Sequence, residues 1–271
     1  PMTMLYLGTA GYPRDSRSPL DALDWLSERG LNALELQFVR RARMGREKAE
    51  SIGERARELG ILLSAHAPYY INFNSNKGEV VERSVEWVMK TARIACELGA
   101  YVVVIHAASY MGQPPERTTR SVIQGIRTCQ HEMEKEGLEV TLGLETMGKR
   151  SAWGRMDEIE RVMEEVDGVM PVLDFAHLHA LEPLREEGDF RRVLDRCSRM
   201  YRGHLHCHFS CVEYGDRGER RHLPLDAREP DFSFLAPSLG RWESGVTVIS
   251  ETPPPEEGAL EMRSLLADYQ I

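Results

Sequence analysis

The sequence predicts an α/β protein that folds as a single (β/α)8 barrel, a TIM barrel, over residues 1–271. A short apolar run, a polar loop and an amphipathic helix alternate eight times along the chain. No linker or change in composition divides this alternation into two domains. Hydrophobic residues make up 42% of the chain, enough for a full core, and charged residues make up an ordinary 28%.

Eight apolar runs are the candidate strands of this barrel. Several of them are nearly continuous in Val, Ile and Leu, as is typical of parallel strands that are covered by helices. In chain order the runs span residues 4–8, 32–38, 61–67, 101–107, 139–145, 169–177, 203–209 and 246–251.

The segments between the runs carry signals for the start and end of helices. Ser18 to Asp21 has the form of a capping box with proline at the first helical position. Apolar stripes at helical spacing end at Gly99 and at Gly137, which predicts helices that stop there. The seventh connection, residues 210–231, is long and rich in charge, Gly and Pro, so we expect it to have a functional role.

Composition and the cysteine pattern indicate the cellular compartment of the protein. No apolar run approaches the roughly 18 residues that span a bilayer, and the N-terminus lacks the pattern of a signal peptide. The five cysteines are odd in number and scattered, which argues against a disulfide framework and favours a reducing compartment. We therefore expect a cytoplasmic monomer that does not bind membranes.

Histidines and carboxylates collect at the carboxyl ends of the predicted strands, which all open on one face of a barrel. One strand-end histidine or glutamate by itself is more simply read as a hydrogen-bonded core residue. A mixed set that recurs at six strands instead predicts a site for several zinc or manganese ions, because unpaired buried charge is costly. The set comprises His66, His106, Glu145, Asp174, His177, His179, His204, His206, His208, His222 and Glu251.

These motifs resemble those of endonuclease IV, the zinc-dependent enzyme that nicks DNA at abasic sites, within the xylose-isomerase-like barrel superfamily. The resemblance runs in order through "SAHAPYYINF", "VVIHAAS", "LGLETMGK", "VLDFAHLHA", "HLHCHFS" and "ISETP". It implies three zinc ions, with manganese possible at some positions. It also implies that the substrate is double-stranded DNA with abasic sites, cut on the 5′ side of the lesion.

The resemblance also implies a role for individual residues. Glu145 would bridge the first ion to the second, and Glu251 would orient the attacking water, so both are the predicted catalytic residues. Tyr69 and Asn72 match positions near the DNA in the family. Arg40, from the placement of cations, and His208, through a phosphate, are two further predicted DNA contacts. The predicted metal ligands are His66 and His106 for the first ion, Glu145, Asp174, His206 and Glu251 for the second, and His177, Glu219 and His222 for the third.

Two parts of this assignment depart from the family pattern. The family shows Asp-Arg-His-His where this chain reads "ERRH", which places Arg221 at the usual ligand histidine. Either Glu219 and His222 bind the third ion on a shifted loop, or the third site is weak or empty. On the seventh strand, His204, His206 and His208 share one face, and the register from Ser210 favours His206 as the ligand.

The net charge of −9 argues against nucleic acid as a partner, but the placement of the cations favours it. Arginines and lysines follow strands one, two, five and seven, on the same face as the ligands, together with Tyr69, Tyr70, Tyr110 and Trp153.

The main alternative is a sugar isomerase or epimerase on the same barrel, with Glu145, Asp174, His206 and Glu251 as its metal tetrad. A metal-loaded binding protein without activity is a third hypothesis. The tetrad leaves His66, His106, His177 and His222 without a role, which favours the endonuclease-like hypothesis.

Overall fold

Eight parallel strands close into a barrel in the computed structural model, which describes residues 3–269. Each predicted run contains or overlaps one barrel strand, and the predicted (β/α)8 barrel is confirmed. The strands are β1 (Leu5–Ala10), β2 (Ala33–Gln37), β3 (Leu62–His66), β4 (Val102–Ile105), β5 (Ala108–Ser109), β6 (Thr141–Glu145), β7 (Ala152–Trp153), β8 (Val169–Asp174), β9 (Leu205–Phe209), β10 (Cys211–Gly215), β11 (Gly218–Leu223) and β12 (Val246–Ser250).

The barrel strands follow one another around the barrel as β1, β2, β3, β4, β6, β8, β9 and β12, and β12 pairs with β1. The remaining strands form two small antiparallel pairs, β5 with β7 and β10 with β11. The helices are α1 (Pro19–Glu28), α2 (Arg46–Leu59), α3 (Gly78–Leu98), α4 (Pro115–Glu136), α5 (Met156–Glu165), α6 (Phe175–Leu181), α7 (Glu187–Met200), α8 (Phe232–Leu239) and α9 (Pro255–Asp268).

The residues that predicted helix starts and ends lie at the observed ends of the helices. The Ser18 hydroxyl accepts a hydrogen bond from the backbone N–H of Asp21 at the start of α1. Helices α3 and α4 end where Gly99 and Gly137 adopt the left-handed conformation, with φ of 71° and 68°. Most of the apolar core lies between the helices and the outer face of the strands, as expected for this layered fold.

The sixth strand is shorter than its predicted range of 169–177, because β8 ends at Asp174 and α6 begins at Phe175. Asp174 causes the change of structure, since its Oδ1 accepts a hydrogen bond from the backbone N–H of His177 at 2.9 Å. His177 and His179 therefore lie on a helix and not on the strand.

The predicted functional connection contains the hairpin of β10 and β11, which packs against α6. Gly218 allows the hairpin to approach the loop after β6, because its φ is 101° and a Cβ there would lie 2.1 Å from the Gly148 carbonyl oxygen. The next residue, Glu219, donates its backbone N–H to that same oxygen at 2.7 Å. The hairpin thereby brings Glu219 to the mouth of the barrel.

Two expectations from composition can be compared with the described part of the chain. Within residues 3–269, no helix is long and apolar enough to cross a membrane. All five cysteines lie within the described residues and are free thiols.

Candidate metal centre

Glu145, at the end of β6, lies at the centre of a cluster of imidazoles and is 2% exposed. Its Oε1 is 3.1 Å from His66 Nε2 and 3.2 Å from His208 Nδ1. Its Oε2 is 2.9 Å from His106 Nε2 and 3.1 Å from His177 Nδ1. These four histidines come from β3, the end of β4, α6 and β9, so the closure of the barrel assembles them.

Asp174 and Glu251 extend the cluster across the mouth. His208 Nδ1 lies 3.1 Å from Glu251 Oε1 and 3.5 Å from Asp174 Oδ2. Asp174 has two separate tasks, since its Oδ1 caps α6 while its Oδ2 is buried without a hydrogen-bond partner. Asp174, His208 and Glu251 thus form a second group with the geometry to hold an ion.

A third group consists of His177, Glu219 and His222. His177 Nε2 lies 3.1 Å from Glu219 Oε2, and His222 Nε2 lies 3.8 Å from the same oxygen. A bulge in the hairpin explains how Glu219 and His222, which are three residues apart in the sequence, come together. Tyr214 opposes Glu219 and Glu213 opposes Arg221, so Arg220 is the extra residue. The bulge brings Glu219 and His222 together at the mouth, whereas Arg221 forms an exposed ion pair with Glu213.

Backbone carbonyls orient three of the histidines. Nδ1 lies 2.8 Å from Ala67 O in His66, 2.8 Å from Thr146 O in His177, and 3.0 Å from Glu251 O in His222. A carbonyl oxygen only accepts, so each Nδ1 carries the proton and donates. Each Nε2 then faces the carboxylates and is the nitrogen left to bind an ion, which is the arrangement that metal-binding histidines require.

The structure departs from the predicted roles of His206 and His208. His208, not His206, lies beside Glu145, Asp174 and Glu251, and it is fully buried, which removes it from contact with a DNA phosphate. Strand register is the physical reason. His208 pairs with Asp174 at the end of β8, whereas His206 pairs with Val172 and lies one layer deeper in the barrel. The two-residue period of a strand places both histidines on the inner face and does not show how deep in the barrel each one lies.

Glu35 is a buried polar residue that the sequence reasoning did not single out. It lies inside the barrel on β2, 2.7 Å from His206 Nε2 and 2.7 Å from His208 Nε2. The available signal was a charged residue in the middle of the apolar run "NALELQF". A carboxylate at such a position needs a partner inside the barrel.

Burial and neighbouring imidazoles oppose each other in setting the pKa values of the carboxylates. Burial alone would raise the pKa of Glu145, but the adjacent His106 and His208 hold it well below its ordinary value. Glu251 behaves similarly, and against its burial the charge of His208 lowers its pKa to about 2. For Asp174 burial prevails and raises the pKa to about 6.

The polar groups of the cluster fit divalent ions. Within residues 3–269, no lysine or arginine lies within salt-bridge distance of Glu145, Asp174, Glu219 or Glu251. Asp174 Oδ2 and both ring nitrogens of His208 are buried and have no hydrogen bond of good geometry. Imidazole and carboxylate ligands without thiolates suit zinc or manganese. The set could therefore hold divalent ions, whose identity and number remain predictions.

The ligand groups open into a cavity of about 570 Å³ that is also lined by Tyr69, Lys149, Arg220 and Arg221. Tyr69 is half exposed and its ring stacks on His106, with 5.0 Å between the ring centroids. This position is consistent with contact to a substrate.

Other predicted DNA contacts lie outside the lining of this cavity. Arg40 is exposed on the loop after β2. The Oδ1 of Asn72 accepts the backbone N–H groups of Asn74 and Ser109, so this side chain braces two loops. Some of the cations predicted to follow the strands form ion pairs within the protein. Arg14, after the first strand, pairs with Glu256 and Glu257.

Comparisons with known proteins agree with this geometry. Residues 23–269 match the family described as "Xylose isomerase-like TIM barrel". An uncharacterized protein of Methanocaldococcus jannaschii is 32% identical over 263 residues, which cover 95% of each chain. A probable endonuclease 4 of Staphylococcus carnosus is 30% identical over 166 residues, which cover 59% of this chain and 54% of that protein.

Solved structures share the fold at low identity. Endonuclease IV from Thermus thermophilus is 20% identical with a TM-score of 0.69, and 98% of each chain is covered. A D-tagatose 3-epimerase-like protein is 17% identical with a TM-score of 0.74, and the match covers 98% of this chain and 97% of that one. The match of the family to most of the chain determines the assignment: the protein belongs to the xylose isomerase-like TIM barrel family.

Proposed function

We propose that this protein is a metal-dependent phosphodiesterase that cleaves DNA on the 5′ side of abasic sites. One observation carries the proposal. Three groups of candidate ligands are contiguous, because Glu145 contacts His66 and His106 on one side and His177 on the other, while Asp174 and Glu251 meet at His208. A cluster of this extent suits several ions, as phosphodiester hydrolysis requires.

The residues divide into three groups of ligands. His66, His106 and Glu145 would hold the first ion; Asp174, His208 and Glu251, with Glu145, would hold the second. His177, Glu219 and His222 would hold the third, with Glu219 taking the place of the family's aspartate. Bound divalent ions would supply an acidified water and neutralise charge on the phosphate and the leaving oxygen.

The protein's own groups act beside the ions. Glu251 is 13% exposed at its side chain and lines the cavity, so it can orient a water against the phosphorus. Lys149, Arg220 and Arg221 line the same cavity and can bind the phosphates of the backbone. Tyr69 offers its exposed ring to the edge of the lesion.

A sugar epimerase is the second candidate, and the position of His208 strengthens it. Glu145, Asp174 and Glu251 each have a carboxylate oxygen within 3.5 Å of Nδ1 of His208, which gives three carboxylates and one imidazole. This set by itself would suffice for the metal site of an isomerase or epimerase. The additional histidines at 66, 106, 177 and 222 favour the phosphodiesterase.

Metal content and substrate choice together separate the two candidates. The purified protein would be analysed for zinc and manganese per chain, then incubated with a labelled duplex that carries one abasic site and, separately, with a panel of ketoses. About three zinc ions with a nick 5′ to the lesion supports the proposal. One or two manganese ions with sugar turnover and an intact duplex would contradict it.

A matched pair of variants controls for contaminating nucleases. Glu145→Gln removes the central carboxylate, whereas Glu229→Gln changes a carboxylate that pairs with His179 and Arg185 outside the cluster. The nicking activity should disappear with the first variant and persist with the second. Equal activity in both preparations would identify a contaminant.

A further inference from the structure

His208 differs from the other candidate ligands in what orients its ring. A backbone carbonyl accepts from Nδ1 of His66, His177 and His222, which leaves Nε2 as the ligand atom. His208 presents the opposite nitrogen, because its Nδ1 lies 3.1 to 3.5 Å from Glu145, Asp174 and Glu251. Its Nε2 points into the barrel, where the group 2.7 Å away is the Oε2 of Glu35.

Glu35 is itself held by a second layer of hydrogen bonds. Its Oε1 accepts from Ser64 Oγ at 3.0 Å and from His206 Nε2 at 2.7 Å. The hydroxyl of Tyr101 contacts Nδ1 of His206 from the other side. All these groups except Tyr101 are buried inside the barrel, where apolar layers are usual. His206 therefore orients Glu35 and does not reach the mouth of the barrel.

The distances argue against a fourth ion between Glu35, His206 and His208. Two ligands of one tetrahedral zinc, each about 2.0–2.1 Å from the ion, lie about 3.3 Å apart. The contacts of His208 Nδ1 with carboxylates at the mouth lie near that value. The contacts of Glu35 are both 2.7 Å, which is the separation of a charge-assisted hydrogen bond between an imidazole and a carboxylate.

We propose that Glu35 is a positioning residue for the metal centre. Its carboxylate is the acceptor for the Nε2 proton of His208 when an ion is bound, so that Nδ1 is the nitrogen left to bind an ion among Glu145, Asp174 and Glu251. Glu35 thus does for His208 what the backbone carbonyls do for His66, His177 and His222, with the two ring nitrogens exchanged. The inference rests on the proposed metal centre.

The variant Glu35→Gln tests the proposal, because it is isosteric and reverses one hydrogen-bonding group. Ser64 and His206 both donate to Oε1, so the amide oxygen takes that place and the amide nitrogen faces His208. Two N–H donors cannot share that contact. The variant therefore removes the acceptor of the Nε2 proton and disfavours the ring state in which Nδ1 binds an ion.

Two readouts follow from this change. Imidazole ¹⁵N NMR of the zinc-loaded protein should find the proton of His208 on Nε2 and the ion on Nδ1 in the wild type, and the loss of this state in Glu35→Gln. Zinc affinity, measured by competition with a chromophoric chelator, should fall about 10- to 100-fold for one ion. Glu158→Gln is the matched control. Glu158 is another buried glutamate, hydrogen-bonded to Tyr110 away from the cluster, and its change should leave both readouts at wild-type values.

The proposal is overturned if zinc affinity is the same in Glu35→Gln as in Glu158→Gln, or if Nε2 of His208 carries no proton in the zinc-loaded wild type. If Glu35→Gln does not fold, Glu35→Asp retains the carboxylate and should keep the Nε2 proton in the zinc-loaded protein; loss of that proton also overturns the proposal. A wild-type protein that binds no divalent ion contradicts the proposed function, whereas zinc binding that Glu35→Gln does not weaken contradicts the role of Glu35 alone.

Discussion

Two clusters of histidine and carboxylate lie close to helix α6, and the negative charge of their carboxylates is balanced in different ways. At the mouth of the barrel, His177 faces Glu145, Asp174 and Glu219. Two residues later, His179 faces Glu229 and accepts the backbone N–H of Leu184 on its Nδ1 at 2.9 Å. The two histidines are only two residues apart in the sequence but belong to different sites.

The difference lies in the source of positive charge. Glu229 pairs with Arg185 at 2.9 Å as well as with His179, and Arg185 also reaches the hydroxyl of Tyr214. This second cluster is complete without any ligand. In the described chain, the basic groups within salt-bridge distance of the carboxylates at the mouth are all imidazoles, and a buried acceptor remains unused at Asp174 Oδ2. A divalent ion is the group that would complete the first cluster.

The largest expected effect is on activity, in the pair Glu145→Gln and Glu229→Gln. Loss of Glu145 leaves four imidazoles without their shared carboxylate, so zinc content should fall and nicking of an abasic duplex should decrease at least about 100-fold. Glu229→Gln should retain zinc and activity. Zinc analysis and a nicking assay on the same preparations measure both effects. Zinc content at the wild-type level in Glu145→Gln would contradict the central place of Glu145 among the ligands.

Removal of metal should lower the free energy of unfolding of the wild type. An ion present at 100 times its dissociation constant stabilises the folded state by about 2.7 kcal/mol. Denaturant unfolding with and without a chelator measures the change, and the same loss is expected for Glu229→Gln, whose cluster needs no ion. An identical unfolding midpoint with and without chelator would refute the presence of a metal centre.

The adjacent histidines provide a third test. His177→Asn should remove one bound ion, because His177 contributes to the group with Glu219 and His222. His179→Asn should keep every ion and lower the free energy of unfolding by about 1–3 kcal/mol, since Asn is too short to replace the contact of the His179 Nε2 with Glu229. Metal analysis and denaturant unfolding separate the two outcomes. Loss of an ion in His179→Asn would remove the distinction between the clusters.

The smallest effect concerns pH in the metal-free protein. Burial alone would lower the pKa of His177, but Asp174, Glu145 and Glu219 raise it well above its ordinary value. Stability from His177 is therefore present below the unfolded pKa of about 6.5 and is lost as pH rises through the folded pKa. Burial lowers the pKa of His179 despite Glu229. Its contribution is present above about pH 6.5 and is lost as pH falls through the folded pKa.

Unfolding curves at several pH values for wild type, His177→Asn and His179→Asn measure these contributions. The difference between wild type and His177→Asn should be larger at low pH. The difference for His179→Asn should be larger at neutral pH. Parallel pH profiles for the two variants would mean that the two environments do not differ as described.

Much of the architecture was predictable from local patterns. Alternating apolar runs and amphipathic segments predicted the eight strands, because a covered parallel strand and a surface helix each impose their own periodicity. The convergence of His66, Glu145 and Glu251 also followed, since the carboxyl ends of all barrel strands open on one face. The resemblance to endonuclease IV added expected roles for these residues, and relatives named probable endonuclease 4 support that resemblance.

The sequence by itself determined the barrel and the collection of imidazoles and carboxylates at one end of it. Only the tertiary structure decided which of two alternate histidines reaches the mouth, His206 or His208, and revealed Glu35 behind them. It also decided the neighbours of Glu219, through one extra residue in a hairpin. Depth along a strand and the register between strands depend on pairings between residues that are distant in the chain, and the side-chain period of one strand carries no information about them.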